Sequence, residues 1–378
     1  MKLIPRVRVN YSFFDLICSL FVSERGQKHR NLLKEIISSI FKTNNILLTS
    51  SGRASIYLIL RSLPQHKVVV PAYTCAVVVE AIKLAGKEVV YARTSSETFN
   101  ITELPIIDND TIVLATHQYG LACDIERIVE ECHVNGALVI EDCAAALGTR
   151  INGKLAGLFG DYGIFSFDSS KMINVPSKGG FIISQNHDLN IIKEGVSLKP
   201  SSLLYKLRHL CRGFVYCLIK PQWVYRLFHM IMLGEKQQLE SHDSEVIELG
   251  EFYTHGLYEW QAYIANKQMR HLDDIIKKRQ NIYSYYDKYI NNPIIQKPPF
   301  QIGAACIRYA ILVNDKDSFY HKSLKEGVDY GFSFNHITTP TSFEEEHSIV
   351  ERVLNVPFYY DLSKSEMQKV VDVINSVK

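Results

Sequence analysis

Lys171 and Asp142 carry the chemistry most visible in this chain. Lys171 lies in Phe165-Ser166-Phe167-Asp168-Ser169-Ser170-Lys171, and a Gly179-Gly180 pair follows shortly after. Asp142 closes the apolar run Val139-Ile140-Glu141-Asp142, which reads as a buried strand. An amine in a small-residue loop can condense with an aldehyde. A carboxylate at the end of a buried strand can pair with a ring cation. Together they meet the needs of pyridoxal phosphate chemistry: one group holds the aldehyde, the other keeps the pyridine nitrogen protonated so that the ring accepts electrons. Alone, each says little, because most lysines are solvated and strand-end aspartates are common.

A third feature suits the cofactor's phosphate. Asn45 to Thr49 reads as a short strand, Ser50-Ser51-Gly52 as a turn, and Ala54 to Leu63 as a helix. The first amides of a helix lack partners and its dipole is positive there, so such a turn can hold an anion. Gly52 and Arg53 are the expected phosphate ligands, with the Ser166 hydroxyl beside them. An ordinary helix N-cap would use the same residues; the match at Lys171 favours the anion site.

The elements that must position these groups alternate. Residues 30–43 show helical apolar spacing at Leu32, Leu33, Ile36, Ile37 and Ile40. Lys67–Pro71, Glu88–Ala92, Thr111–Thr116 and Ala137–Glu141 read as strands, with helices at Ala76–Ala85 and Ile125–Asn135 between them. Short apolar strands alternating with helices imply an α/β fold, with a mostly parallel sheet covered on both faces. Ligands of such sheets gather at the strands' carboxyl ends. The Ser51, Tyr73, His117 and Asp142 regions lie at such ends and should converge. Phe181–Ser184 reads as a further strand, Leu257 to about Tyr289 as one long helix, and Ile307–Val313 as a strand. Helices at Phe319–Glu326 and Ser365–Val377 complete a smaller C-terminal α/β domain. The division expected is 1–250 and 251–378.

Several ordered segments resemble the DegT/StrS-type sugar aminotransferases, a fold-type I pyridoxal phosphate family. They are Ser50-Ser51-Gly52-Arg53-Ala54, Val69-Val70-Pro71-Ala72-Tyr73-Thr74, His117-Gln118-Tyr119-Gly120 with Asp124, and Ile140-Glu141-Asp142-Cys143-Ala144. Gly160-Asp161-Tyr162-Gly163-Ile164-Phe165-Ser166-Phe167 then Lys171, and Arg352-Val353-Leu354-Asn355-Val356-Pro357-Phe358-Tyr359, complete the set. The resemblance implies a three-layer fold-type I transferase, with Lys171 and Asp142 catalytic. It implies a keto-sugar substrate carried on a nucleotide, in cell-surface polysaccharide or secondary-metabolite biosynthesis. Glutamate is the implied amino donor, and the implied assembly is a homodimer with its sites at the subunit boundary. His117, Tyr119 and His336 are the implied substrate contacts. The chain departs from the family at Ala145 and Leu147, where Gln and His are usual, and at Lys178, usually acidic. Cys75 replaces the aromatic that stacks on the cofactor ring, and Tyr73 is a candidate substitute. Two other readings stand beside amino transfer: another pyridoxal phosphate chemistry, such as elimination or aromatic amine synthesis, and a non-catalytic scaffold of a glycan-assembly complex.

Composition sets bounds. The 378 residues are 47 % hydrophobic and carry a net charge of +2. A substantial core fits, and near-neutrality argues against nucleic-acid binding. The eight cysteines show no CxxC spacing, and Cys132 sits directly beside His133. Buried thiols in a reducing cytoplasm are therefore expected, and no metal. Neither a signal peptide nor a spanning helix is expected.

Residues 195–234 stand apart. Lys199, Lys206, Arg208, Arg212, Lys220 and Arg226 are interleaved with aromatic and aliphatic residues, without one acid. Pro221 should split the segment into two helices. Three readings stay open: a hairpin packed on its own domain or on a dimer partner, a peripheral contact with the inner face of the membrane, or spare charge that meets a nucleotide-sugar diphosphate.

Overall fold

The computed structural model describes residues 2–233, 250–334 and 337–377. Helices α1 (Phe13–Leu20) and α2 (Lys28–Phe41) precede strand β1 (Ile46–Thr49). Then come α3 (Gly52–Ser62), β2 (Lys67–Pro71), α4 (Ala76–Leu84), β3 (Glu88–Ala92), β4 (Thr111–Thr116), α5 (Ile125–Val134) and β5 (Leu138–Asp142). A two-residue ladder, β6 (Arg150–Ile151) with β7 (Lys154–Leu155), leads to β8 (Tyr162–Phe167) and β9 (Gly179–Ile183). Three helices follow, α6 (Asn190–Glu194), α7 (Leu203–Leu218) and α8 (Gln222–Phe228). The remainder is α9 (Glu259–Met269), α10 (Leu272–Tyr289), β10 (Tyr309–Leu312), α11 (Lys316–Lys325), α12 (Glu344–Arg352), β11 (Val353–Val356) and α13 (Lys364–Ser376).

Seven strands form one sheet in the order β1-β9-β8-β5-β4-β2-β3. β3, β2, β4, β5 and β8 run parallel, while β9 is antiparallel to both neighbours. Alternation along each strand feeds two faces. Val68, Val70, Ile112, Leu114, Ile140 and Ile164 pack under α3 and α4. Val69, Val113 and Val139 pack with Ile125 and Ile128 of α5. Phe165 and Phe181 stack at 4.4 Å and meet Phe41 of α2, in a core that also holds Trp260 and Ile264 of α9. The result is the three-layer α/β arrangement expected of a fold-type I transferase.

A smaller antiparallel pair, β10 with β11, makes a second core with α11, α13 and the far half of α10. Ile4 joins it by bridging to Val328.

The single helix expected from Leu257 to Tyr289 is two. α9 ends at Met269, and His271, at φ −113°, starts α10. The break has a packing cause. α9 lies wholly in the first core, whereas α10 begins there with Leu272 and Ile275 and ends in the second with Ile282, Tyr283 and Tyr286. A straight rod could not serve both. Pro221 does separate α7 from α8.

Candidate active site

β4, β5 and β8 end side by side. Thr116 lies opposite Asp142, and Asp142 opposite Ile164. Ser166 and Thr49 both face Gly180 across the antiparallel ladders. The turn after β1, the ends of β4, β5 and β8, and the start of β9 therefore share one edge, where ligands of such sheets bind.

Asp142 is 5 % exposed. Among the described residues one hydrogen bond reaches its carboxylate, from Ala144 N to Oδ1 at 2.9 Å. Burial raises its pKa above the ordinary value, with Lys171 and His117 pulling the other way. It is a desolvated carboxylate with capacity left for a cation.

Its neighbour Glu141 points to the opposite face, as strand alternation requires. There it accepts from Gly157 N at 2.7 Å, Gly160 N at 2.7 Å and Phe159 N, and meets His117 Nε2 at 3.1 Å. His117 Nδ1 accepts from Cys123 N at 3.2 Å. His117, Glu141 and Cys143 stand close enough to resemble a metal cluster. Glu141 is already saturated by amides, so the group works as an anchor that fixes the end of β5.

Lys171 sits in the loop between β8 and β9. One side chain organises that loop. Asn174 Nδ2 donates to the carbonyls of Asp168 (3.1 Å), Ser169 (3.2 Å) and Lys171 (2.8 Å). Asn174 is locked from both sides. Gln268 Oε1 takes its N–H at 2.8 Å and Gln268 Nε2 reaches its carbonyl at 2.6 Å. Asn10 N donates to its Oδ1 at 2.7 Å. Among the described residues the Lys171 amine has no hydrogen bond or ion pair.

The Ser51 side chain caps α3 by accepting from Ala54 N at 3.1 Å. A Cβ on Gly52 would stand 3.0 Å from Ser166 Cβ and 3.2 Å from its Oγ. The glycine thus leaves a cradle between a helix N-terminus and a hydroxyl. Two cations border it. The Arg53 guanidinium lies 5.1 Å from the Phe252 ring centre and the Lys178 ammonium 5.9 Å from it. Burial, and next the Arg53 charge, lower the Lys178 pKa. Two partly desolvated like charges beside a helix N-terminus suit a phosphate dianion, so the residues present fit pyridoxal phosphate.

The structure separates the other expected residues. Tyr73 has 0 % exposure, and its ring is enclosed by Phe99, Tyr119 and Phe334. Its hydroxyl meets that of Tyr119 at 2.6 Å. As packed, Tyr73 offers no face for stacking, while Cys75 is half-buried and lies near Lys178. His117 and Tyr119 are also enclosed. Tyr119 adopts φ +58° and Gly120 φ +100°. A Cβ on Gly120 would fall 2.5 Å from Cys306 Cα, and Tyr119 O accepts from Ile307 N at 3.0 Å. This turn lets the chain at 305–307 close onto the sheet edge. His336 lies outside the described residues. Sequence reasoning did not single out Asn174, Asn10 or Gln268. A lone Asn inside Met172-Ile173-Asn174-Val175 was the available signal. None of the eight cysteines forms a disulfide.

Residues 17–375 match the model of the DegT/DnrJ/EryC1/StrS aminotransferase family. The chain is 25 % identical over 371 residues to GDP-perosamine synthase of Vibrio cholerae, covering 96 % of this chain and 94 % of the relative. It is 25 % identical over 344 residues to a UDP-N-acetyl-3-dehydro-alpha-D-glucosamine 3-aminotransferase of Acidithiobacillus ferrooxidans, covering 86 % and 82 %. Among solved structures it is similar to S. venezuelae DesV (TM-score 0.74, 18 % identity, 99 % and 98 % covered). It is also similar to Helicobacter pylori PseC (TM-score 0.74, 16 % identity, 99 % and 98 % covered). The chain belongs to the DegT/DnrJ/EryC1/StrS aminotransferase family and is a pyridoxal phosphate-dependent aminotransferase.

Proposed function

We propose that this family member transfers an amino group to a keto-sugar carried on a nucleoside diphosphate, in polysaccharide or metabolite biosynthesis. The relatives named for GDP- and UDP-linked amino sugars support that substrate class. One observation carries the site assignment: the Lys171 loop and the buried Asp142 carboxylate meet at the sheet edge beside the Ser51-Gly52 cradle. Glutamate as donor, and a homodimer with sites at the subunit boundary, follow from family likeness and belong to the same proposal.

Bound pyridoxal phosphate supplies an aldehyde that condenses with amines and a ring that takes up the electron pair left by a departing proton. Lys171 Nζ would hold the aldehyde between turnovers. As a free amine, Lys171 Nζ would take the proton from the donor's α-carbon. Asp142 would pair with the ring nitrogen and keep it protonated. The amides at Gly52 and Arg53, the Ser166 hydroxyl and the Arg53 and Lys178 cations hold the phosphate. Cys75, half-buried near Lys178, stands where the family usually carries an aromatic and would give the ring no aromatic cover. Ala145 and Leu147, where the family usually carries Gln and His, pack with the first core.

Borohydride reduction and peptide mapping test this reading. A pyridoxyl group should appear on Lys171, and a label on another lysine would refute the assignment. Folded Asp142→Asn should keep cofactor and lose most turnover with GDP-, UDP- or dTDP-linked keto-sugars and glutamate. Near-normal turnover would refute its role. Light scattering over a dilution series tests the dimer.

A further inference from the structure

α7 has two unlike faces. Lys206, Leu210, Gly213 and Cys217 recur at helical spacing and are buried. A Cβ on Gly213 would meet Pro176 Cγ at 3.0 Å and Leu16 Cδ2 at 3.1 Å, so α7 is seated on α1 and on the end of the Lys171 loop. Lys206 turns inward, donating to the carbonyls of Leu20 (3.1 Å) and Val22 (2.9 Å). The packed reading therefore accounts for one face of the segment.

The other face has no cover among the described residues. Leu203, Leu204, Leu207, Val215 and Leu218 are exposed, Leu204 to 78 %. At about 100° per residue they form a stripe roughly 120° wide. The exposed Arg208 and Arg212 lie along one border of it. α1 extends the stripe, since Phe13 stacks on Phe214 at 5.8 Å. On α1, Phe14 (66 % exposed) and Ile17 point outward, as does Phe21 (84 %) just past its end. Beyond Pro221, α8 adds Trp223 (66 %) and Leu227, and Met230 and Ile231 follow it outward. Exposed apolar surface on this scale, continuous between α1 and α7, marks an interaction site.

We propose that this outer face of α1, α7 and α8 docks on an anionic phospholipid bilayer. Charge decides the occupant. Residues 195–233 contain no acid, and Asp15 on α1 is engaged by Lys267 at 2.6 Å. Among the described residues the exposed charged side chains of α7 that border the stripe, Arg208 and Arg212, are positive, and the half-buried Asp168 lies near Arg212. A second copy would place this face against itself, bringing Arg208 and Arg212 toward their own counterparts. An anionic leaflet presents the opposite charge to all of them and takes the apolar stripe at the acyl boundary. Among the described residues no helix is long and apolar enough to cross a membrane, so the contact lies on the surface. Trp223 stands where an indole anchors at headgroup level.

The chain carries its own reporter. Trp260 has 0 % exposure, so a solvent-sensitive tryptophan signal comes from Trp223. The cofactor-loaded full chain should pellet with phosphatidylglycerol–phosphatidylcholine vesicles at low salt and be released at high salt. Its emission should shift to the blue on binding. Trp223→Phe should remove the shift. Leu204→Asp with Arg208→Glu should weaken partitioning by about tenfold or more. Both variants should keep the far-ultraviolet dichroism and bound-cofactor absorbance of the parent. Three results would overturn the proposal. One is wild type left in the supernatant at low salt. Another is equal pelleting with phosphatidylcholine alone. The third is emission already blue without lipid and reddening on dilution, which would mean a second copy covers the face.

Discussion

Burial makes Asp142 a poor place for a lone negative charge, and this gives the site a pH signature. Its native pKa is raised above the ordinary 3.8 by desolvation. An acid raised in the native state contributes stability that is full below its unfolded value and lost as pH rises through its native value. The cofactor-free protein should therefore lose stability as pH rises from about 4. A cation at the ring nitrogen opposes that loss. The gap in thermal midpoint between loaded and cofactor-free protein should widen with pH across this window, and Asp142→Asn should flatten it. A gap independent of pH in wild type would argue against the ion pair. The reading of Asp142 rests on the apolar run it closes, and that of Lys171 on the Asp168-Ser169-Ser170 loop before it. Lys178 enters the sequence only as a departure; its proposed place at the phosphate rests on Arg53 and Phe252 beside it, which no local pattern shows.

At the scale of elements, the Lys171 loop depends on a single amide. Asn174 holds three carbonyls of that loop and is itself held by Gln268 of α9 and Asn10 of the N-terminal segment. Asn174→Ala removes these bonds in a buried setting, at a cost of about 1–3 kcal/mol for each polar group left unsatisfied. Cofactor retention on dialysis should fall and borohydride labelling of Lys171 should drop, with the fold kept by circular dichroism. Full retention would show that the loop holds its shape without Asn174. The parallel strands were legible because three-valine and Thr-Ile-Val-Leu runs sit between turn residues. β8 was read as a motif and missed as a strand, and β11 was missed because α12 runs into it with no turn between Arg352 and Val353. The α9–α10 break had no Gly or Pro to announce it. It arises from two cores competing for one helical run.

The whole molecule is tied together at Asp329. Its side chain is fully buried and accepts from Arg6 Nε at 2.9 Å, Tyr225 and Tyr320. Arg6 comes from the N-terminal segment, Tyr225 from α8, and Tyr320 from α11. One carboxylate thus joins the inserted helices, the start of the chain and the smaller core. We place the division between large and small units inside α10, where its contacts pass from the first core to the second. Burial works against the Arg6 charge, and Asp329 together with Tyr225 and Tyr320 more than restores it. Removing Asp329 alone leaves a buried guanidinium without a counter-charge, which costs about 3–5 kcal/mol. Replacing both partners by apolar residues of similar size removes that penalty and is often near neutral. Asp329→Leu should therefore lower the denaturant midpoint strongly, and Arg6→Met with Asp329→Leu should recover most of it. Because Asp329 also seats α8, the single variant should alter Trp223 emission before global unfolding. Equal midpoints for single and double variants would show that the pair's charges contribute nothing beyond their packing.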